Sequence, residues 1–316
     1  MPNDSGLMLI DKPSGITSHD VVNFLRRKLG TKRIGHTGTL DPNATGLMVM
    51  LIGKATLLSS VMIKMDKRYT SRIEFGVTTD TYDCDGKITD TQPPPKMTKS
   101  ELESILEKYK GDIEQEIPPY SAAKRQGRTM HKLARKGLDV SVGRKVVTIE
   151  HINIIAFDWP EVAIDVKCSS GTYIRSLAHQ LGQEIGCGGH LKNLRRTEVG
   201  GFRLADAKTL DEMADSLSPR DFIKSLKGAL PGSPVIPIKP QYLGAVLNGR
   251  PLQKKYLGEG NYRGKGGELG FLTGPDEMVL ALAKLNQQWP SYNMLGPSDV
   301  IGTYIRIIDE GNIRAK

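Results

Sequence analysis

The stretch Gly35-His36-Thr37-Gly38-Thr39-Leu40-Asp41-Pro42-Asn43-Ala44-Thr45-Gly46 decides how the chain reads. Gly35, Gly38 and Gly46 let a backbone turn tightly or approach a ligand closely. His36 and Asp41 lie among them, in a loop where a rigid scaffold can present side chains. No Gly-Lys-Ser/Thr follows, which argues against a P-loop, and the spacing does not fit a dinucleotide fingerprint either. Two local readings of Asp41 stay open: a presented carboxylate, or an Asx-type turn ahead of Pro42.

On the N-terminal side, Thr17 to Gly30 predicts an amphipathic helix. Thr17 or Ser18 can cap it, Val21, Val22, Leu25 and Leu29 share one face, and Gly30 suits the C-terminal cap. On the other side, the apolar run Leu47 to Ile52 has the length of a buried strand. Further along, Tyr69 to Phe75 alternates like a strand, Gln92 to Lys96 is a proline-rich loop, and Thr98 with Glu101 forms a capping-box pattern for a helix to about Lys110. Val162, Ile164, Val166 and Cys168 alternate along another strand. Tyr173 to Ile185 predicts a helix with Ile174, Leu177, Leu181 and Ile185 inward, ended by Gly186. Pro231, Pro234, Pro237 and Pro240 then mark a linker or domain boundary. Beyond it, the runs Glu268 to Thr273, Met278 to Ala283 and Val300 to Ile308 have the texture of a small β-barrel.

Bulk properties set the frame. The chain has 316 residues, 38% of them hydrophobic, enough for one large domain plus a small one or for two of medium size. It carries 44 basic against 35 acidic residues, a net +9, which favours a polyanionic partner. The excess is concentrated. Between Tyr120 and Lys145 lie eight basic residues, Lys132 and Arg135 among them, and Asp139 is the one acid. A solvated face usually mixes signs, so this stretch points to a surface for phosphates. Cys84, Cys168 and Cys187 are far apart and odd in number, which fits free thiols in a reducing compartment rather than disulfides or a zinc site. Met1 to Gly6 lacks the pattern of a signal peptide, and no apolar stretch approaches the roughly 18 residues of a membrane span. A soluble cytoplasmic protein without a membrane partner is expected.

Two further segments carry chemistry. Lys67-Arg68-Tyr69 opens a strand, and Tyr69 is either a half-buried strand aromatic or a platform on which a base stacks. Arg175 stands at the start of a helix, where the dipole disfavours a cation. A cation there needs another reason, such as a carboxylate or a phosphate partner, and on local grounds that reading and an ordinary surface arginine both stay open.

Taken in order, these residues resemble the TruB family of pseudouridine synthases. The carrying motifs are G-H-T-G-T-L-D-P-x-A-T-G, K-R-Y, T-D-T-x-D-x-x-G at Thr79 to Gly86, P-P-x-Y-S-A-x-K around Pro118 to Lys124, G-T-Y-I-R-S, and Leu191 to Arg196. They cover the chain from Asp11-Lys12-Pro13-Ser14-Gly15 to about Gly200. The sequence departs from the family pattern at Pro119-Tyr120, which lacks a residue often found between the two.

The resemblance implies an α+β pseudouridine-synthase fold with a mixed central sheet flanked by helices. Residues 1–230 would form the catalytic domain, with an RNA-clamping basic insertion at about 118–146. Residues 237–316 would form a PUA-like β-barrel that binds RNA. The substrate would be the T-arm stem-loop of transfer RNA, at position 55. Asp41 would be the nucleophile, Tyr69 would stack on the uracil and could serve as a base, and Arg175 would pair with Asp41. That pairing would keep Asp41 ionised, because an opposing charge lowers a carboxylate pKa. Tyr173 and Leu194 would line the uracil pocket, His36 would help hold the flipped-out RNA, and Lys132 and Arg135 would contact phosphates. No cofactor or metal is expected, and the enzyme would act as a monomer without a protein partner. A glycosidase would want two carboxylates flanking a bond, and Asp80, Asp83 and Asp85 are not evident partners for Asp41. A non-enzymatic RNA chaperone would not need Asp41, Tyr69 and Arg175 together. The early start of the motifs and the basic insertion favour the stand-alone bacterial type over guide-RNA-dependent relatives.

Overall fold

A computed structural model describes residues 5–118, 124–125, 128–129, 143–258, 267–286 and 295–311. The strand β1 (Gly6–Lys12) leads into the helix α1 (Ser18–Leu29). Thr17 caps α1 and accepts from the Asp20 backbone while Asp20 reaches back to Thr17, a reciprocal pair that satisfies two orphan donors. Gly30, at φ 63, ends the helix in the left-handed conformation. Val21, Val22, Leu25 and Leu29 are buried, as the spacing predicts. The short strand β2 (Ile34–His36) follows, inside what reads as loop. Three residues with one glycine carry no alternation and so leave no strand signal. Then come β3 (Thr45–Ile52) and β4 (Lys67–Phe75).

These strands belong to a ten-stranded mixed sheet. Its main path runs Lys208–Thr209, β1, β3, Gly189–Val199, β4, Glu161–Cys168, Arg144–Asp158, Gly111–Glu116. Strand β2 pairs with β3, and Phe202–Arg203 pairs with Gly189–Val199. Most pairings are antiparallel, but β3 and Gly189–Val199 run parallel at the middle of the sheet. Both faces of β1 and β3 are covered. Met8, Ile10, Met48 and Met50 pack with α1 and the helix Ile174–Ile185, whereas Leu7, Leu9, Leu47, Val49 and Leu51 pack into a second core. Burial on both faces explains why Leu47 to Ile52 is continuously apolar rather than alternating.

The helix opened by Thr98 and Glu101 spans Lys99–Glu107 and stops three residues short of Lys110. The chain turns there, with Gly111 at φ 85 starting the next strand. The C-terminal part forms a five-stranded sheet in the order Val235–Pro237, Leu269–Thr273, Val279–Leu285, Val300–Ile307, Leu252–Gln253. Among the described residues it curls into a half-barrel, in keeping with the small β-barrel that the texture suggested. Pro237 lies within the edge strand rather than in a linker, in one of the few sheet positions that tolerate proline. This sheet has its own core around Ile236, Val246, Leu252 and Leu280. Its Phe271, Val279, Leu282 and Ile308 also join the second core of the main sheet. Among the described residues no helix is long and apolar enough to cross a membrane. Cys168 and Cys187 are buried free thiols and Cys84 is an exposed one.

Candidate active site

The loop between β2 and β3 is held from several sides. Ser18, the first helical residue of α1, accepts from the Leu40 amide at 2.8 Å and donates to the Leu40 carbonyl at 2.9 Å. Lys12 is fully buried, and its Nζ donates to the carbonyls of Pro13, Ile16 and Pro42 at 2.7–2.8 Å. Burial lowers the Lys12 ammonium to about 8. At the far end of the loop, Gly46 has φ 102, and a Cβ there would stand 2.3 Å from the Arg196 carbonyl oxygen. Only glycine fits that position.

Asp41 therefore projects from a fixed loop, and its carboxylate turns to another side chain rather than into an Asx turn. Its Oδ2 lies 3.1 Å from Nε of Arg175. Arg175 is buried in the first turn of the helix Ile174–Ile185. Its Nη1 also meets Asp83 Oδ2 at 3.3 Å and donates to the Thr81 carbonyl at 3.2 Å. Two carboxylates thus answer the dipole problem that Arg175 poses. Asp83, which is not evident from the sequence as a partner of Asp41, reaches the site because its loop folds back, with the Cys84 amide donating to the Leu191 carbonyl.

The electrostatics correct one expectation. Arg175 does pull the Asp41 carboxyl down, but the net direction is up. Desolvation is the largest cause, and the like charges of Asp83 and Asp85 reinforce it. The Asp41 side chain remains 46% exposed, so the carboxylate stands at a mouth rather than in a sealed core.

A pocket of about 330 Å³ opens beside it, lined by Asp41, Tyr69, Tyr173, Arg175, Leu194 and Arg196 among others. That volume lies at the small end of ligand sites. Tyr69 is a buried residue of β4, and burial raises its phenol, so it stands neutral. Tyr173 precedes the arginine helix. Its amide donates to Gln115 Oε1 at 2.7 Å, and Lys145 Nζ lies 4.1 Å over its ring. The structure thus gathers Asp41, Tyr69, Tyr173, Arg175 and Leu194 around one cavity. His36 is not in the lining. Its Nδ1 accepts from the Gly38 amide at 3.2 Å, and burial, aided by the Arg196 charge, lowers its pKa. Lys132 and Arg135 lie outside the described residues. Of the basic stretch, Arg144 is already paired with Glu114 and Glu116, and Lys145 donates to the Gly171 carbonyl.

Sequence reasoning missed Lys67 and Arg196, which also line the pocket. Burial lowers Lys67 to about 8, and its Nζ donates to the carbonyls of Ile63 and Met65. Both residues sit in motifs already singled out, K-R-Y and L-R-R, but nothing local distinguishes them from surface cations.

Comparison with known proteins points to one family. Two family profiles match in tandem: TruB family pseudouridylate synthase (N terminal domain) over residues 26–174, and tRNA pseudouridylate synthase B C-terminal domain over residues 175–227. The tRNA pseudouridine synthase B of Opitutus terrae is 48% identical over 206 residues, covering 65% of this chain and 86% of that protein. The Azoarcus sp. protein of the same name is 39% identical, covering 82% and 86%. That of Mycobacteroides abscessus is 36% identical over 301 residues, covering 94% and 98%. Among solved structures, an H/ACA RNP bound to a substrate RNA containing 2′-deoxyuridine contains a chain of the same fold. It matches with a TM-score of 0.73 at 22% identity, covering 97% of this chain and 86% of that one. A Cbf5-Nop10-Gar1 complex matches with the same score at 23% identity, covering 96% and 85%.

Proposed function

The chain belongs to the TruB family of tRNA pseudouridine synthases and isomerises uridine to pseudouridine in transfer RNA; from that premise we propose that its target is the T-arm uridine at position 55 and that Asp41 is the nucleophile. The observation that carries the assignment is the Asp41–Arg175 pair at 3.1 Å, set at the mouth of a pocket walled by Tyr69 and Leu194.

A uracil stacked in a folded stem-loop is out of reach, so the nucleotide is flipped into the pocket. Tyr69 offers a face for stacking, and Tyr173 and Leu194 line the same pocket. Asp41 acts as a carboxylate in covalent catalysis. The N1–C1′ bond breaks, the uracil turns, and C5 joins C1′. The proton lost from C5 is matched by one gained at N1, so the reaction is an isomerisation. Arg175 fixes the direction of the Asp41 carboxylate, and Asp83 holds Arg175 from behind. The raised phenol of Tyr69 favours stacking over a phenolate role. His36 would support the flipped RNA through the catalytic loop, and Lys132 and Arg135 would contact its phosphates. We assign residues 1–230 to catalysis and 237–316 to an accessory RNA-binding module, acting in the cytoplasm, where tRNA is found.

The test is to incubate the purified protein with an unmodified T-arm stem-loop and to map pseudouridine in the product. Asp41→Asn, nearly isosteric, is expected to abolish product while RNA affinity stays within about tenfold, or roughly 1.4 kcal/mol. Robust turnover by folded Asp41→Asn would remove Asp41 as nucleophile. Conversion at another uridine would overturn the T-arm assignment.

A further inference from the structure

Tyr82 holds its backbone at φ 63, in the left-handed region. A bulky side chain rarely stands there, and such strain persists only where the surroundings impose it. Both neighbours of Tyr82 meet the arginine that pairs with Asp41. The Thr81 carbonyl accepts from Arg175 Nη1 at 3.2 Å, and Asp83 Oδ2 lies 3.3 Å from the same nitrogen. The other Asp83 carboxylate oxygen accepts from the Thr81 hydroxyl at 2.6 Å. The strained turn at Tyr82 thus aims residues 81 and 83 at one guanidinium nitrogen. Backbone bonds hold one side of that turn. The Leu191 amide donates to the Tyr82 carbonyl, and the Cys84 amide donates to the Leu191 carbonyl, each at 3.0 Å. A ring holds the other side. Tyr82 stacks on His179 with centroids 3.9 Å apart and planes 9° from parallel. His179 follows Arg175 by one turn on the same face of the helix Ile174–Ile185. Burial lowers the His179 pKa, so a neutral ring meets Tyr82. Its Nδ1 is buried with no hydrogen-bond partner among the described residues. That nitrogen does not account for a histidine at this place; the flat ring face does.

We propose that Tyr82 and His179 are positioning residues of the isomerisation: their stack fastens the turn 79–86 to the helix that carries Arg175, so that Asp83 and the Thr81 carbonyl hold the guanidinium in line with Asp41. The proposal rests on the site assignment above and adds two residues that act through Arg175. Neither ring lines the pocket beside Asp41. Two flat faces in contact fix the separation of turn and helix, whereas a branched apolar side chain in either place would fill the volume without setting it. The turn grips the helix at two points one turn apart, by charge at Arg175 and by stacking at His179, and two points define an orientation where one would leave a pivot.

The experiment measures single-turnover pseudouridine formation at saturating T-arm RNA, together with RNA affinity and melting temperature. Tyr82→Ala keeps the backbone strain but loses the ring. It is expected to slow the bound-state step by on the order of tenfold to a hundredfold, as a displacement of up to about 1 Å does, with affinity within about tenfold. Tyr82→Phe keeps the flat face and should recover most of that rate. In an Asp83→Asn background, Tyr82→Ala should cost less than about threefold, because both changes act on the same nitrogen of Arg175. An unchanged bound-state rate in Tyr82→Ala would overturn the proposal: with a lower melting temperature the stack is merely structural, and with weakened affinity Tyr82 is an RNA contact instead. Fully additive losses with Asp83→Asn would overturn it too, as would a Tyr82→Phe as slow as Tyr82→Ala. If Tyr82→Ala does not fold, His179→Leu against His179→Phe decides, since leucine keeps the apolar bulk and phenylalanine the flat face. A slow leucine variant beside a fast phenylalanine one supports the stack; equal rates overturn it. Failure of the parent protein to convert the T-arm uridine would sink the functional assignment instead, so the two failures are distinguishable.

Discussion

At the scale of single residues, Asp41 is held between opposing influences, and their balance is measurable. Desolvation and the charges of Asp83 and Asp85 raise its pKa above the ordinary 3.8, and Arg175 opposes them. With Asp41 as the proposed nucleophile the reaction needs the carboxylate, so the rate is expected to fall as pH drops through that raised value. The acid limb of the single-turnover profile is therefore expected above the ordinary aspartate range. Asp83→Asn removes a like charge, so the limb should move to lower pH. A limb that stays put or moves up would remove Asp83 from the electrostatics of Asp41. Asp41, Tyr69 and Arg175 were legible in the sequence because each lies in a compact motif. Asp83 and Arg196 were not, because their meaning depends on contacts between distant segments. The partner of Arg196 at Gly38 is 158 residues away, and no local pattern encodes such a bond.

At the scale of elements, the catalytic loop depends on how β3 starts. Gly46 carries φ 102 and lies against the Arg196 backbone. Gly46→Ala is expected to cost about 3 kcal/mol or more, since a left-handed strain adds to a backbone clash. Urea unfolding would measure it, and a loss under about 1 kcal/mol would mean that the strands can part there without consequence. Alternation and caps made α1, β4 and the arginine helix readable, because each shows one apolar face with a recognisable end. The strand β2 escaped because it is short and its burial is uneven. The basic insertion belongs to this scale too. Alanine at Lys132 and Arg135 is expected to weaken RNA binding and to reduce the salt slope of log K by about 0.7–0.9 for each phosphate that is no longer neutralised. An unchanged slope would return the stretch to a solvated face. Arg144, already paired with Glu114 and Glu116, should contribute little.

At the scale of the whole molecule, the C-terminal half-barrel is attached by more than a peptide linker. Phe271, Val279, Leu282 and Ile308 enter the core behind β1 and β3, Lys54 donates to the Asp309 carbonyl, and Lys227 pairs with Glu277. Truncation before Pro237 is expected to weaken binding of full-length tRNA by about tenfold or more. The bound-state rate on a T-arm stem-loop should change far less, and the melting temperature should fall because the shared core is opened. Near-complete loss of chemistry in a folded truncation would overturn the accessory role. The proline cluster told where the composition changes, but it could not tell that the two cores interlock, since that depends on which apolar faces meet. The same interlock bears on how the enzyme fails. β3 carries the end of the catalytic loop and is sealed on both faces by different cores, so its amides can reach solvent only when the entire protein opens. The loop, tied to that strand, is therefore expected to have no melting transition of its own: on heating, the bound-state rate and the core signals should be lost together, and a rate lost at a distinctly lower temperature would show that the loop slackens first.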